Sequence, residues 1–394
     1  MSVPRIPLSL YVHIPFCAYR CRYCNFTFET GWSPSVLRKT TEALAAEAER
    51  LAEHAAANQI QWDVKTLYWG GGTPSVLPLD LMIGLVRRLE SSLDFRAGEL
   101  QESTIEANPE NISAESLAAW NEAGFGRLSV GIQTFSSERL ALLGRWCDHE
   151  KNHRALATIA ADWAGAWNGD LMTGLPGQGN LKPQTWIELR RDLDTLLSYQ
   201  PNHVSLYSLI VEPETDFADM LRGGSLSVCP DAVADQLWVR ARDTLIERGF
   251  EWYEISNFAR AGARSIHNQT YWNLDAWAGL GPGAEGTLPV RDSAGRLVPL
   301  RTRNPKLFPW LTGQRTHERL TAEEFATEHF VSGWRTADGL RPGRLRRLFG
   351  KHLDFPPDRL SDTDRLFLNQ HLATLPEFSE WSFEGSWPEA SSEA

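Results

Sequence analysis

The sequence predicts an α/β protein: a partial (β/α)6 TIM-type barrel followed by a C-terminal mainly helical domain. Short β-rich segments alternate with amphipathic helical segments over roughly the first 200 residues, which is typical of a parallel sheet with right-handed crossovers. About six such βα units follow one another, whereas a closed barrel of this type has eight, so we expect the barrel to stay open. From about residue 300 the chain is rich in Arg and helical in pattern, without a strong strand signal.

The elements of the predicted barrel alternate regularly along the chain. The first predicted helix carries Leu37, Leu44 and Leu51 one heptad apart on a single face. The third predicted helix is followed by Gly124, the residue type that most readily takes the left-handed conformation after a helix. We expect strands over residues 9–14, 64–69, 103–107, 127–132, 166–171 and 203–209, and helices over residues 34–57, 79–93, 114–123, 137–143, 149–161 and 184–198.

The chain beyond the sixth unit is divided between the barrel and a second domain. We assign residues 1–290 to the barrel domain, with residues 210–290 as its extension, and residues 291–394 to the mainly helical domain. The tail from about residue 375 is acidic and rich in Ser, Trp and Pro, which predicts poor order. The pattern indicates helices over residues 231–249, 322–334 and 341–349, and a glycine-rich run lies over residues 279–286.

Composition narrows the class of protein. Of the 394 residues, 42% are apolar and 23% are charged, which excludes general disorder. Lys and Arg number 39 against 50 Asp and Glu, so the net charge is −11 and binding to nucleic acid is not expected.

We find no apolar run that would suit a signal peptide or a transmembrane helix. We therefore expect a cytoplasmic protein, in a reducing compartment where clustered cysteines bind metals more often than they form disulfides.

Three of the five cysteines lie within eight residues, in the pattern Cys17-x-x-x-Cys21-x-x-Cys24. The pattern follows the first strand, at the end of the barrel where proteins of this architecture carry their chemistry. Three thiolates on a compact loop can bind three irons of a 4Fe–4S cluster and leave one iron open, whereas an electron carrier uses four thiolates. The alternatives are buried thiols or a zinc site, which usually needs four ligands in two pairs. The spacing favours the cluster, since Cys147 and Cys229 stand alone.

Glycines and polar side chains follow the next strands. Three glycines in Trp69-Gly-Gly-Gly-Thr-Pro74 allow the backbone to approach a ligand closely, although a plain turn after the strand would explain them equally well. Glu106, Gln133 and Asp170 stand at three successive strand ends, and Arg145 follows shortly after the fourth strand. Their common position predicts one site at the barrel mouth, suited to a cofactor with ribose hydroxyls, an ammonium group and a carboxylate.

A further motif lies in the extension. Tyr253-Glu-Ile-Ser-Asn-Phe-Ala-Arg260 is followed by His267-Asn-Gln-Thr-Tyr-Trp272. His267 can be an axial haem ligand, an acid/base group or a structural histidine. From chemistry alone, the structural role is favoured.

Together these motifs resemble the radical S-adenosylmethionine (SAM) enzymes, in the branch of oxygen-independent coproporphyrinogen III oxidase and the haem chaperone HemW. The resemblance is carried by Tyr11-Val-His-Ile-Pro-Phe-Cys17 and Cys21-Arg-Tyr-Cys24. It extends from about residue 8 to residue 290, through the motifs at residues 70–73, 127–133, 143–145, 170–176 and 253–258.

The resemblance implies a set of roles. The three cysteines would hold a 4Fe–4S cluster whose open iron chelates the amino and carboxylate groups of SAM. One electron would then cleave SAM to methionine and a 5′-deoxyadenosyl radical. The residues that stand where the family contacts SAM are Tyr11, Tyr23, Gly71, Gly72, Thr73, Glu106, Gln133, Arg145 and Asp170.

Three features favour the HemW side of the branch. The oxidases carry a further Cys two residues after the third ligand, where this chain has Phe26. They also carry an N-terminal extension, whereas the first strand here begins near residue 8. Finally, the motif at residues 267–272 resembles the haem-binding motif of HemW, which favours His267 as a haem ligand.

Two departures from the family keep other functions open. The family usually has His at the positions occupied here by Glu285 and Cys147. We therefore expect a haem chaperone, with a catalytic radical SAM enzyme as the alternative: a coproporphyrinogen III oxidase, a radical methyltransferase or a haem-modifying enzyme. The expected partners are haem, recipient haemoproteins and an electron donor such as flavodoxin or ferredoxin, and the resemblance implies that a homodimer can form.

Overall fold

The computed structural model describes residues 3–341 and residue 344. Its first part has the alternation that the sequence predicts, and α1 and α2 have the predicted bounds. The barrel elements are β1 (Arg5–Ile14), α1 (Pro34–Ala57), β2 (Gln61–Gly71), α2 (Leu79–Leu93), β3 (Glu102–Ala107), α3 (Ala114–Glu122), β4 (Arg127–Gln133), α4 (Ser137–Leu142), α5 (His149–Asp162), β5 (Ala166–Thr173), α6 (Trp186–Ser198) and β6 (His203–Ser208).

The elements after the barrel are shorter. They are α7 (Asp216–Arg222), α8 (Asp231–Glu247), β7 (Glu251–Trp252), β8 (Asn257–Ala259), α9 (Ile266–Asn273), β9 (Trp277–Leu280), β10 (Glu285–Arg291), β11 (Leu297–Arg303), α10 (Leu307–Leu311), β12 (Thr316–Arg319) and α11 (Ala322–Trp334).

Within the described residues, all twelve strands join one sheet, in the order β12-β11-β10-β9-β1-β2-β3-β4-β5-β6-β8-β7. Strands β1 to β6 are parallel neighbours in chain order, and β9 adds in parallel to the free side of β1. Since the order is linear, with β12 and β7 at its two edges, the described strands form an open barrel. The predicted fold class, a partial barrel of six βα units, is confirmed.

The region from about residue 300, where the sequence shows no strong strand signal, nevertheless contains the end of β11 and all of β12. Strands β10, β11 and β12 form an antiparallel meander that continues the sheet beyond β9. All four residues of β12 are exposed, and the apolar residues of β11 are confined to its first four positions, so neither strand shows the regular apolar alternation that sequence reasoning uses. Helix α11 has the predicted bounds. The helix predicted over residues 341–349 and the tail from 375 lie outside the described residues, and the domain boundary at residue 290 stays a prediction.

Alternation along the strands separates an apolar core from a polar barrel interior. In β4, Leu128, Val130 and Ile132 are buried in the core between the sheet and its helices. Their neighbours on the same strand face the inside of the barrel, where Ser129 and Gly131 line a cavity. The usual interior of such a barrel is packed with branched apolar side chains. The polar interior seen here therefore leaves room for a binding site.

Candidate functional site

A cavity of about 330 Å³ opens at the carboxyl ends of the barrel strands. We call it the cysteine cavity, because all three clustered cysteines line it. It brings together eleven of the thirteen residues that the sequence predicts: Cys17, Cys21, Cys24, Tyr23, Gly71, Gly72, Thr73, Glu106, Gln133, Arg145 and Asp170.

The loop that carries the cysteines is held by residues distant in sequence. The amide of Thr73 donates to the carbonyl of Phe16 at 2.8 Å, directly before the first cysteine. The amide of Arg22, between the second and third cysteines, donates to the carbonyl of Leu143 at 2.9 Å. The loop contains no helix of its own, so its shape depends on the ends of β2 and α4.

Two glycines of the predicted ligand loop are required by packing. A Cβ at Gly72 would lie 2.8 Å from the Phe16 carbonyl oxygen and 2.9 Å from that of Ile14. Gly71 has φ +108°, and a Cβ there would lie 2.5 Å from the ring of His13. These glycines line the cavity, but they also let the end of β2 approach β1 and the cysteine loop.

The cysteine thiols have the chemistry of ligands that need a bound cation. Burial raises the pKa of Cys17 to about 12, and it also raises the pKa of Cys21 and Cys24. The Thr73 hydroxyl lies 3.5 Å from Cys17 Sγ, and the charge of Arg145 lowers the pKa of Cys21 against the larger effect of burial. Half-buried thiols with these partners stay protonated until a metal centre compensates the thiolate charge, so the residues fit an iron–sulfur cluster.

The remaining cysteines stand apart from this set. Cys147 donates from Sγ to Asn152 Oδ1 at 2.8 Å, and Cys229 packs in the apolar core. Among the described residues, no three Cys, His, Asp or Glu side chains lie close enough to hold a single metal ion. A four-iron cluster takes a wider ligand set, because each thiolate binds a different iron.

Two half-buried carboxyl groups face the cysteine cavity. Burial raises the pKa of Glu106 to about 7; the Tyr68 hydroxyl, which donates to Oε1 at 2.7 Å, opposes this shift, and the charge of Asp170 adds to it. Burial likewise raises the pKa of Asp170 to about 6, although Asn168 donates to it at 2.7 Å. Carboxylates in this environment are stabilised by a ligand that brings positive charge or hydroxyl donors.

The cysteine cavity is also lined by the Arg145 guanidinium and by Gln133, at the strained end of β4. Arg145 is buried and donates from Nη2 to the Gly131 carbonyl at 2.6 Å. Within the described residues its Nε has no hydrogen-bond partner, so a donor remains for a ligand. Gln133 has φ +66° where the β4–β5 register shifts, a conformation that costs a non-glycine residue energy and is frequent at binding sites.

The other two predicted residues, Tyr11 and His267, line a second cavity inside the barrel, with a volume of about 210 Å³. We call it the barrel cavity. It is also lined by Tyr68 and Tyr271, and it shares Glu106, Ser129, Asp170 and Tyr207 with the cysteine cavity. The hydroxyl of Tyr11 lies 3.1 Å from His13 Nδ1, and its expected contact with SAM stays a prediction.

His267 is enclosed by protein. Its Nδ1 lies 2.7 Å from the Thr66 hydroxyl and its Nε2 lies 2.8 Å from the Tyr271 hydroxyl. Only 1% of the residue is exposed, and burial lowers its pKa to about 3, so the ring is neutral. An iron could bind only after one of these hydrogen bonds is broken. The role of His267 as a haem ligand stays a prediction, and it requires that one of these two hydrogen bonds breaks.

Sequence reasoning missed several residues of the cysteine cavity. Ser129 and Gly131 precede Gln133 at intervals of two along β4, and Met172 follows Asp170 at the same interval. The two-residue period of a strand therefore would have indicated them. The other missed residues include Tyr19, Asn108 and Tyr207.

Glu285 and Cys147, the two residues that depart from the family pattern, contact neighbouring protein side chains outside both cavities. Glu285 pairs with Arg303 across the β10–β11 ladder at 2.8 Å, and both side chains are exposed. Cys147 is buried against Asn152. Neither residue lines the cysteine cavity or the barrel cavity. Across residues 3–341 and 344, every helix is too short or too polar to span a lipid bilayer.

Comparison with known proteins agrees with this geometry. Residues 11–189 match the family model of the radical SAM superfamily. The chain is 34% identical to the haem chaperone HemW of Bacillus subtilis, over 88% of each chain. It is 32% identical to HemW of Escherichia coli, over 84% of this chain and 82% of that protein.

A solved structure shares the fold. The radical SAM coproporphyrinogen III oxidase HemN of Escherichia coli is 21% identical and superposes with a TM-score of 0.74. The match covers 93% of this chain and 89% of that chain. At this identity the likeness concerns the fold alone.

Proposed function

Since the chain belongs to the radical SAM superfamily and, within it, to the family of the haem chaperone HemW, we propose that it binds haem and delivers it to haemoproteins. The observation that carries this proposal is the relationship to HemW along 88% of both chains. The three cysteines at the mouth of one cavity support a 4Fe–4S cluster that chelates SAM.

The residues of the cysteine cavity have separate tasks in this proposal. Cys17, Cys21 and Cys24 would hold the cluster, which together with SAM supplies one-electron chemistry when bound. The charge of Arg145 favours the thiolate of Cys21 against the larger effect of burial, and the Thr73 hydroxyl favours that of Cys17. The other predicted contacts, Tyr11, Tyr23, Gly71, Gly72, Glu106, Gln133 and Asp170, would bind SAM.

Haem is the cargo, and His267 is its proposed ligand. The ring is neutral at physiological pH, which is the form that binds iron. For a nitrogen of the ring to bind iron, its hydrogen bond to Thr66 or to Tyr271 must break. Recipient haemoproteins follow from this proposal. A flavodoxin or ferredoxin as electron donor, a homodimer and a cytoplasmic location stay predictions of the sequence.

Haem transfer tests the proposal directly. The anaerobically reconstituted protein is loaded with haem and mixed with an apo-haemoprotein, and the Soret band of the acceptor is followed. We expect transfer by the wild type and a reduced Soret band on haem loading of H267A. A wild type that binds no haem would contradict the chaperone proposal. An unchanged Soret band in H267A would remove His267 as the ligand.

The alternative is a catalytic radical SAM enzyme, and the same preparation tests it. The protein is reduced in the presence of SAM, and 5′-deoxyadenosine and loss of coproporphyrinogen III are measured. A chaperone is expected to leave coproporphyrinogen III unchanged. Turnover that depends on this substrate would establish the catalytic alternative.

A further inference from the structure

A chain of contacts connects His267 to the cysteine cavity. The ring of His267 lies against the ring of Tyr68, with centroids 5.0 Å apart and planes at 23°. Tyr68 donates its hydroxyl to Glu106 Oε1 at 2.7 Å. Glu106 in turn lines both the barrel cavity and the cysteine cavity. A buried ring in one cavity therefore supports a carboxyl group in the other.

The His267 ring is fixed on three sides. The hydroxyls of Thr66 and Tyr271 hold its two nitrogens, and Tyr68 covers one face. Thr66 and Tyr68 are two residues apart on β2, so they project to the same side of the sheet. Helix α9, which carries His267 and Tyr271, is anchored to β3 because its first amide donates to the buried carboxyl of Glu102. The position of the ring is thus set by two strands and a helix.

We propose that His267 is a positioning residue for the SAM pocket: it holds Tyr68 in place, and Tyr68 orients the Glu106 carboxyl toward the cysteine cavity. The second donor to Glu106, the amide of Gly71, lies at 3.3 Å, so the shorter bond from Tyr68 contributes more to its orientation. The inference rests on the proposed function for the identity of SAM as the ligand, and it does not require haem binding.

The arrangement links the two proposed ligands. If iron takes a nitrogen of His267, the ring loses its bond to Thr66 or Tyr271 and its contact with Tyr68 is disturbed. Haem at His267 then lowers the affinity for SAM, and by thermodynamic reciprocity SAM lowers the affinity for haem by the same factor. Occupancy of the SAM pocket would in this way bias the release of haem.

Affinity for SAM tests the positioning role. It is measured by equilibrium dialysis on the reconstituted, unreduced protein, in which SAM is not cleaved, and it is normalised to iron content. We expect H267A and Y68F each to weaken SAM binding about three- to tenfold, the size of one lost hydrogen bond. The double variant should be no weaker than Y68F, because both changes act through one contact. H267F, which keeps a flat ring beside Tyr68, should retain more affinity than H267A.

The control is H329A. His329 is also a buried histidine, on α11, with Nδ1 2.9 Å from the Phe325 carbonyl, and it lines neither cavity. Its replacement should leave SAM affinity within twofold of the wild type. The inference is overturned if H267A binds SAM as tightly as H329A does, if H267F loses as much affinity as H267A, or if the losses of H267A and Y68F multiply in the double variant.

The pH profile gives an independent readout. The Tyr68 hydrogen bond lowers the pKa of Glu106, so its loss should move the rise of SAM affinity with pH to higher pH. The charge of Asp170 also raises the pKa of Glu106, and the pKa values of the nearby tyrosines at 11, 207 and 271 are raised, with Glu106 as one of the causes, so these tyrosines stay neutral near pH 7. Only Glu106 and Asp170 of this group change charge near pH 7. An unchanged midpoint in Y68F and H267A would contradict the inference.

Failure of this inference can be told apart from failure of the proposed function. A wild type that binds SAM but no haem removes the chaperone proposal and leaves the positioning role to be judged on the variants. A wild type that binds no SAM overturns the positioning role itself.

Discussion

The five cysteines occupy two kinds of environment. Cys17, Cys21 and Cys24 line an open cavity beside Arg145, whereas Cys147 is buried and donates a hydrogen bond to Asn152. Cys229, the fifth, packs among apolar side chains. Burial raises the pKa of all five thiols, so acidity alone does not distinguish the ligands. Access to a cavity is what distinguishes them.

Serine substitution should separate the two groups of cysteines. We expect C17S, C21S and C24S each to lose the bound iron and the visible absorbance of the cluster after reconstitution, because a hydroxyl is a poor ligand for iron in this role. C147S and C229S are the controls and should keep both signals. Loss of iron in C229S equal to that in C17S would show that the ligand set is wrong.

Among the secondary-structure elements, the helices whose N-terminal capping residues can be identified from the sequence were the most predictable. Helix α1 begins after Ser33, whose side chain accepts from the Val36 amide, and Pro34 occupies its first turn. Helix α11 begins with a capping box between Thr321 and Glu324. Each capping interaction joins residues that are close together in the sequence, so the start of these helices can be predicted from the sequence alone.

Elements whose partners are distant were missed. Helix α9 has only eight residues and little amphipathic pattern, and its start depends on Glu102, more than 160 residues away. Strand β12 is polar and pairs with β11, which in turn pairs with β10, so each of these strands depends on the edge that its neighbour offers. No local pattern predicts such elements, because the contacts that stabilise them are set by the tertiary fold.

The junction of β2 with the cysteine loop should be sensitive to a single methyl group. In G72A the new Cβ would approach the carbonyl oxygens of Phe16 and Ile14 to within 3 Å. We expect a loss of about 1–3 kcal/mol in the free energy of unfolding. Since the cysteine loop must shift, we also expect less iron per chain after reconstitution.

A glycine without such contacts provides the control. Gly84 lies on an exposed face of α2, and a Cβ there would meet open space. G84A should gain about 0.5–1 kcal/mol in unfolding free energy, because alanine favours the helix. Denaturant unfolding and iron analysis of both variants decide the matter: full iron content in G72A would contradict the packing argument.

Across the whole molecule, one carboxylate connects the barrel to the strands that follow it. Glu47 of α1 is buried and accepts hydrogen bonds from the Gly281 amide at 2.7 Å and from Asn304 at 2.9 Å. It also accepts from Trp310 at 3.1 Å and from Arg315 at 2.9 Å. A single side chain therefore ties the first helix to four points between residues 281 and 315.

Removing this charge should loosen the connection. We expect E47Q to lower the unfolding free energy by about 3–5 kcal/mol, because Arg315 loses its partner and an amide opposes the other donors. Hydrogen exchange should rise in β10 to β12. The control E49Q, on the same helix, removes an exposed pair with Arg88 and should cost no more than about 1 kcal/mol. Equal midpoints for the two variants would contradict the role of Glu47.

The candidate site was predictable to the extent that it follows strand ends. Glu106, Gln133 and Asp170 meet because parallel strands bring their carboxyl ends to one edge. Tyr11 and His267 could not be located in this way. One sits within a strand rather than at its end, and the other lies on a helix whose docking inside the barrel depends on long-range contacts.

The cysteine loop carries a consequence for biogenesis. Its shape depends on Thr73 and on Leu143, the second of which follows Cys17 by more than 120 residues. During synthesis the cysteines therefore leave the ribosome long before the chain that arranges them has been made. We therefore expect assembly of the cluster to follow folding of the barrel through β4 and α4, with an iron–sulfur donor acting on a folded apoprotein rather than on a nascent chain.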